Sequence, residues 1–229
     1  IFGKSPYKSP TEMGVNMAGN CIIDDEACRE ASKQEIIRRY YKCLCEKRRN
    51  GTTKDDICKL ELLMKQAEIT VEDRKVTIVA LEREKNENGN PAMAIELRDG
   101  TIVSGGTSEL LGAASSALIN ALKVLAGIDK EVKLIDPKAI DPIQDLKINY
   151  LGSKNPRLHT DEVLTALSAT AANNEIAMKA MKKLPLLKGC DAHSTVLLSS
   201  VDEQIFKKLG IQLTCEPKYE EDERMYHKN

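Results

Sequence analysis

The sequence predicts an α/β domain, a mixed sheet with helices on both faces, preceded by a small helical hairpin. Three observations predict it. Residues 24–66 carry apolar positions at three- and four-residue spacing, the next segment holds short β-branched runs between turn signals, and from residue 105 onward helical and strand patterns alternate. The expected divisions are an irregular linker over 1–20, a helical unit over 21–70, the α/β unit over 71–216 and a charged tail over 217–229. Of the 229 residues 41% are hydrophobic and 30% charged, but aromatics are only 3% with no Trp. The core must therefore be built from Leu, Ile, Val and Ala, as suits small-residue helices laid closely on a sheet.

The elements follow in order. The opening segment, IFGKSPYKSPTEMGVNMAGN, is punctuated by Gly and Pro and has no helical or strand period. Its polar residues Lys8, Glu12 and Asn16 are candidates to line a cleft with a preceding domain, or merely to link to one. Asp24 and Asp25 supply a cap and acidic first turn for a helix to about Cys45, ending at Asn50-Gly51, with Ile36, Ile37, Tyr40, Cys43 and Leu44 on one face. Thr53 caps a second helix, Lys54 to Gln66, turning Ile57, Leu60, Leu63 and Met64 inward. The period then changes. Runs 76–81 and 92–97 read as strands joined by the turn at 88–91, and Asp99-Gly100 turns into a third at 101–103, a β-meander. Gly105-Gly106 open a helix from Thr107 to Leu125, apolar almost all round. A Pro-interrupted stretch leads to a short helix near 141–149 and a loop over 151–159. Thr160 caps another helix, broken at Asn173-Asn174 and resuming to Leu184. Residues 196–198 read as a strand, 202–209 as a helix and 211–214 as the last strand.

Charge excludes little-used classes rather than naming one. Lys plus Arg number 34 against 35 Asp plus Glu, which asks for no nucleic-acid, anionic-membrane or polycationic partner, and scarce rings argue against base stacking. No apolar run is long enough to span a bilayer, and no secretion signal opens the chain. The seven cysteines are an odd number, five of them in the helical segment. They read as small apolar residues of a reducing cytoplasm rather than disulfide partners.

Three strings carry a resemblance: SPYKSPTEMGVNMAGNCIIDDEACREASKQEIIRRYY, LGSKNPRLHTDEVLTALSATAA and LKGCDAHSTVLLSSVDEQIFKKLGIQLTCEP. Through essentially all 229 residues the chain closely resembles the bacterial family catalogued as domain of unknown function eighteen-forty-six. The resemblance implies members about twice as long, hence an N-terminal domain preceding this C-terminal part. It further implies a helical middle and a C-terminal unit similar to the cytidine-deaminase α/β/α topology. It implies no activity. Members sometimes carry the label of ATP-dependent zinc peptidase, but His-Glu-x-x-His and Gly-x-x-x-x-Gly-Lys-Ser/Thr are both absent here. Deaminase chemistry needs His-x-Glu or Cys-x-Glu followed by Pro-Cys-x-x-Cys, and no such combination stands in this chain, where no Pro-Cys occurs.

Three candidate sites remain, each beside a plainer reading. Cys190-Asp191-Ala192-His193, with Cys215 downstream, could place Cys190, His193 and Cys215 on one metal ion; the plainer reading is small buried residues and a hydrogen-bonded imidazole, and no metal is expected. The loop Ser153 to Thr160 brings Lys154, Asn155, Arg157, His159 and Thr160 to a helix N-terminus, where oriented N–H groups favour an anion, with Ser194 as a further ligand-binding hydroxyl. Solvated loop cations, compensated by Asp161 and Glu162, are the alternative. The Ser104 to Glu109 segment looks like a phosphate cradle, but Glu109 would repel a phosphate. A structural turn is the simpler account, unless Glu109, with Leu110 and Leu111 beside it, works as an acid or base. His159 and His193 complete the catalytic candidates, and no pattern names a cofactor. Two functions follow: a site for an anionic small molecule at the junction with the N-terminal domain, or a homo-oligomerisation module without chemistry of its own.

Overall fold

The computed structural model describes residues 24–51 and 54–220. The expected linker with Lys8, Glu12 and Asn16, the Thr53 cap and residues 221–229 of the tail lie outside the described residues. Helix α1 (Asp25–Asn50) begins at Asp24, whose carboxylate accepts from the Ala27 N–H, and stops at Gly51, whose left-handed φ of 74° is the usual helix-ending conformation. Helix α2 (Lys54–Gln66) folds back on it, and Ile37, Tyr41, Met64 and Ile69 form a cluster of their own between the two.

A capping box follows. The Thr70 hydroxyl accepts from Glu72 N–H and the Asp73 carboxylate accepts from Thr70 N–H at 2.6 Å, launching a 3-10 turn over Val71–Asp73 that runs into helix α3 (Lys75–Asn86). The expected strand at 76–81 is therefore a helix. Val76, Thr77 and Ala80 are buried, while Ile78 and Leu81 are 41% and 38% exposed, so one helical face is covered rather than alternate residues. The β-branched run lost to the cap before it and to the Glu-Arg-Glu-Lys stretch after it, both of which favour helix. No meander forms; the turn at Asn88-Gly89 joins α3 to the first strand.

Strand β1 (Ala92–Glu96) pairs antiparallel with β2 (Ile102–Gly106) and, on its other side, with β3 (Asp191–Ser194); β4 (Gln212–Cys215) lies parallel to β3. The order β2-β1-β3-β4 makes a mixed open sheet. Side chains alternate across it. Ala94 meets Val76 and Ala80 of α3 on one face, and Met93 and Ile95 meet Ala117 and Leu118 of helix α4 (Ala113–Ala126) on the other, in the main core. The chain is thus an α/β protein with helices on both faces.

Gly105 explains why β2 runs past the expected 101–103. A Cβ there would overlap the backbone N of Ala117 and lie 2.6 Å from the carbonyl carbon of Ser116, so the two glycines let α4 sit directly on the strand instead of opening a helix at Thr107. Helix α5 (Pro137–Asp145), capped by Asp136 and continued by a π turn over Leu146–Tyr150, leads to α6 (Thr160–Ala171) and α7 (Glu175–Met181). After β3, the expected strand at 196–198 is a loop, and α8 (Ser200–Leu209) returns the chain to β4. The strand was missed because Asp191, His193 and Ser194 are polar, although His193 and Ser194 are fully buried.

Across the junction of α1, α3, β3 and β4 lies Arg74, 1% exposed, donating to Asp191 Oδ1 at 2.7 Å, Thr214 Oγ1 at 3.0 Å, Ala192 O at 3.1 Å and Gln212 O at 2.6 Å. Arg74→Ala strands these acceptors and is expected to lower stability by about 3–5 kcal/mol in urea unfolding. Gly105→Ala is expected to cost about 1–3 kcal/mol in the same measurement, because the contacting atoms are backbone and cannot swing aside.

Candidate functional site

The C-terminal ends of β2, β3 and β4 and the start of β1 lie at one end of the sheet, since Ala92 is opposite Gly106 and Ser194 is opposite Cys215. In open α/β sheets this is where ligands are held. Here three helices also begin. Helix α4 starts at Gly112, α6 at His159 and α8 at Ser199. The loop before α6 is docked by a short parallel bridge: Leu158 N–H donates to Leu110 O at 2.9 Å, Ser115 Oγ donates to Leu158 O at 2.9 Å, and Leu158 is 1% exposed. That anchor sets Asn155, Arg157 and His159 on the wall of a narrow cavity of about 40 Å3, with Gly112 to Ser115, Ser199, Asp202 and Glu220 completing it. Beside it, sharing Pro91, Val196 and Glu220, opens a cleft of about 260 Å3 that also carries Lys218 and Tyr219.

Asp202 organises the wall. Its carboxylate accepts from Thr160 N–H and Thr160 Oγ1, both at 2.9 Å, and from Ser199 Oγ at 2.8 Å, and lies 3.0 Å from His159 Nδ1. Burial pushes this carboxyl up, but the hydrogen bond and charge of His159 with the other donors outweigh it, and its pKa falls to about 2. The same bond raises His159 against the burial that lowers it. Thr160 is thus the first helical residue, and the cap comes from α8, 42 residues away, rather than from its own hydroxyl. Glu162 accepts from His159 N–H at 2.7 Å and from the 5%-exposed Lys147 Nζ at 2.7 Å, and Arg157 pairs with Glu220 at 2.6 Å.

Other candidates lie elsewhere. Lys154 is exposed and off the cavity wall; Ser194 is buried, its hydroxyl donating to Val196 O at 2.8 Å. Glu109 is exposed, and only its backbone carbonyl is engaged, by Gln144 Nε2 at 3.2 Å. His193 is buried on the α3 side, with Nδ1 2.9 Å from Thr214 Oγ1 and its ring 4.9 Å from that of Tyr41. His159, His193 and Glu109 therefore share no cleft. Cys190 and Cys215 belong to opposite ends of the sheet: Cys215 is opposite Ser194, four residues or roughly 13 Å along the strand from Cys190. Among the described residues no three His, Cys, Asp or Glu side chains gather as a metal site, and no helix is long and apolar enough to cross a membrane.

Sequence reasoning missed Asp202, Ser199, Glu220 and the start of α4. Ser199-x-x-Asp202 was a readable N-cap signal. Its role as the partner of His159 was not, because the two are 43 residues apart.

The fold and cavity together define an α/β protein with a polar recess at the strand ends, walled by helix N-termini. The chain belongs to the DUF1846 family: the profile described as domain of unknown function DUF1846, C-terminal, matches residues 72–226, and its N-terminal counterpart matches residues 1–68. It is 54% identical over 219 residues to UPF0371 protein cu0538 of Corynebacterium urealyticum, covering 96% of this chain and 44% of that protein. It is 53% identical over 228 residues to UPF0371 protein stu1377 of Streptococcus thermophilus, covering 100% and 46%, and 52% identical to UPF0371 protein DIP2346 of Corynebacterium diphtheriae with the same coverage. The chain spans less than half the length of these relatives.

The His159–Asp202 pair carries a pH signature. With its folded pKa raised, His159 contributes fully below its ordinary 6.5 and ceases to contribute as pH climbs through the raised value; Asp202, depressed from 3.8, contributes fully above 3.8 and loses its effect as pH falls towards about 2. The destabilisation caused by Asp202→Asn, on the order of 1–3 kcal/mol, is therefore expected to be largest between these ordinary values and distinctly smaller in alkaline solution, as read by urea unfolding across pH. In the same variant the NMR titration of His159 is expected to move down.

Proposed function

We propose that the recess at the strand ends receives the anionic group of a small molecule, a carboxylate or phosphate, whose remainder occupies the adjoining cleft. The observation that carries this reading is the first turn of α4. Gly112 caps it without a side chain, and the N–H groups of Ala113, Ala114 and Ser115 have no acceptor among the described residues although all three residues are buried. Unsatisfied buried donors at the positive end of a 14-residue helix, opening on a cavity, are built for an acceptor. The size fits one functional group rather than a whole molecule, since a water alone takes roughly 30 Å3. Arg157 and His159, paired with Glu220 and Asp202, add further N–H donors on the same wall.

A second reading, an assembly module without chemistry, is favoured by the exposed apolar side chains of Leu62 and Leu63 on α2 and of Tyr150 and Leu151 at the end of the π turn, Tyr150 being 76% exposed. Calorimetric titration with inorganic phosphate and with a nucleotide separates the two. Gly112 has φ −68° and ψ 161°, and a Cβ there meets nothing closer than Leu158 O at 3.9 Å, so Gly112→Asp folds and places its own carboxylate on the α4 N–H groups. Anion binding is expected in the unmodified protein, weakened by salt, about tenfold weaker in Arg157→Gln and lost in Gly112→Asp with thermal stability kept. An identical isotherm in all three, or none in any, overturns the anion site; self-association abolished by Leu62→Asp would then favour the module.

A further inference from the structure

A second face of α4 bears a different chemistry. Ser116, Ile119, Asn120 and Lys123, spaced three and four apart, look onto the segment from Lys133 to Ile140, and with Gly106 and Arg83 they enclose a cavity of about 350 Å3. Its floor is aliphatic: Ile119, Leu134, Ile135 and Ile140 are 2–8% exposed, and Leu110 and Leu111 close one side. The titratable residues on its lining are Arg83, Lys123 and Lys133, and among the described residues no Asp or Glu lines it. Arg83 is already paired with Glu87 at 2.6 Å, the carboxylate of which rests against Gly106, so the net cations are the two lysines. Lys123 Nζ donates to Lys130 O at 2.8 Å, which holds the ammonium at the rim and leaves two donors. Burial lowers its pKa, opposed by Glu131 and Asp129 outside the cavity.

The geometry points to a binding site for a small amphiphilic anion, an aliphatic carboxylate whose chain lies on the Ile-Leu floor and whose head meets Lys123 and Lys133. This site is independent of the recess at the strand ends. A chain without a charge would gain nothing from the two ammonium groups, and a cationic head would be repelled; a carboxylate meets both the floor and the lysines. Each methylene taken up is worth about 0.8 kcal/mol, or about fourfold in affinity.

The test uses octanoate, hexanoate and octylammonium against the whole chain, read by methyl NMR shifts at Ile119, Ile135 and Ile140. Octanoate is expected to saturate these signals, hexanoate to bind about sixteenfold more weakly, and octylammonium not to bind. A Lys123→Gln, Lys133→Gln double variant is expected to weaken octanoate at least tenfold, and Ser116→Leu, which fills the cavity and removes no charge, to abolish the shifts with the melting curve retained. Gly112→Asp is expected to leave them unaltered, and the double variant to leave phosphate binding unaltered, which separates this site from the recess. Equal binding of octylammonium, an unaltered octanoate affinity in the double variant, or no saturable shift at these methyls overturns the assignment. So does self-association in sedimentation together with intermolecular NMR contacts at these methyls, which would put a second copy of the chain over the cavity.

Discussion

The arrangement of the helical hairpin, α3 and the far edge of the sheet rests on one buried cation. Taking a guanidinium out of water costs several kcal/mol, and Arg74 recovers that only because both strands turn acceptors towards it: Ala192 O and Asp191 from β3, Gln212 O and Thr214 from β4. Burial lowers its pKa, with Asp191 acting the other way. Since Arg74 is the residue before α3, these bonds also fix where that helix starts and so which of its faces meets β1. Asp191 extends the joint to α1, where Arg38 Nη1 lies 3.6 Å from the same oxygen.

A second polar layer stands on the first and settles the state of His193. Burial holds its pKa low, against the pull of Glu216, which favours the neutral ring. Nδ1 faces Thr214 Oγ1 at 2.9 Å and Nε2 faces Glu216 Oε1 at 3.3 Å. A lone pair aimed at a carboxylate would be repelled, which favours the proton on Nε2; the one Thr214 hydroxyl proton is then shared between Nδ1 and Ala192 O, 3.2 Å away. Nε2 to Glu216 is too oblique for a well-formed hydrogen bond. Tyr41 OH donates to the same carboxylate oxygen at 3.0 Å, and burial followed by the Glu216 charge pushes the phenol's pKa up. His193 of the Cys-x-x-His string is thus tied to α1 through Tyr41, and Cys190 donates weakly to Leu186 O.

How much of this was legible depended on whether the deciding partner was local. Helix α2, strand β1, the start of α1 and strand β4 stand close to where period and turn signals put them, because caps, Gly-containing turns and amphipathic spacing act within four residues; α6 starts at Thr160 as expected although part of its cap comes from α8. Helix α3 was misread because Val76 to Leu81 has the composition of a strand, and only the box at Thr70 and Asp73 tips it. Strand β3 was hidden because its buried polar side chains serve Arg74, Thr214 and Tyr41, partners that no window of sequence contains. At the site, Asn155, Arg157 and His159 were readable as a cation-rich loop before a helix. Their counter-charges were not, since Glu220 is 63 residues from Arg157 and Asp202 43 from His159.

Those counter-charges decide what the recess can discriminate. Arg157 is matched by Glu220, His159 by Asp202 and Lys147 by Glu162, so the side chains around it add little net field. What stays unmatched among the described residues is the backbone of α4, three N–H groups fixed in direction by the helix and by the packing of Ala117 on Gly105. On the proposed function, recognition there would rest on oriented donors at short range, which favours an acceptor of the right shape over charge as such. The other flank of α4 reverses the arrangement: Lys123 and Lys133 border an aliphatic floor that no Asp or Glu among the described residues lines, so for the proposed ligand charge and apolar area would act together and donor geometry would matter less. One helix thus presents two chemically distinct surfaces, and both follow from the same glycine-floored seat on β2 that lets α4 approach the sheet so closely.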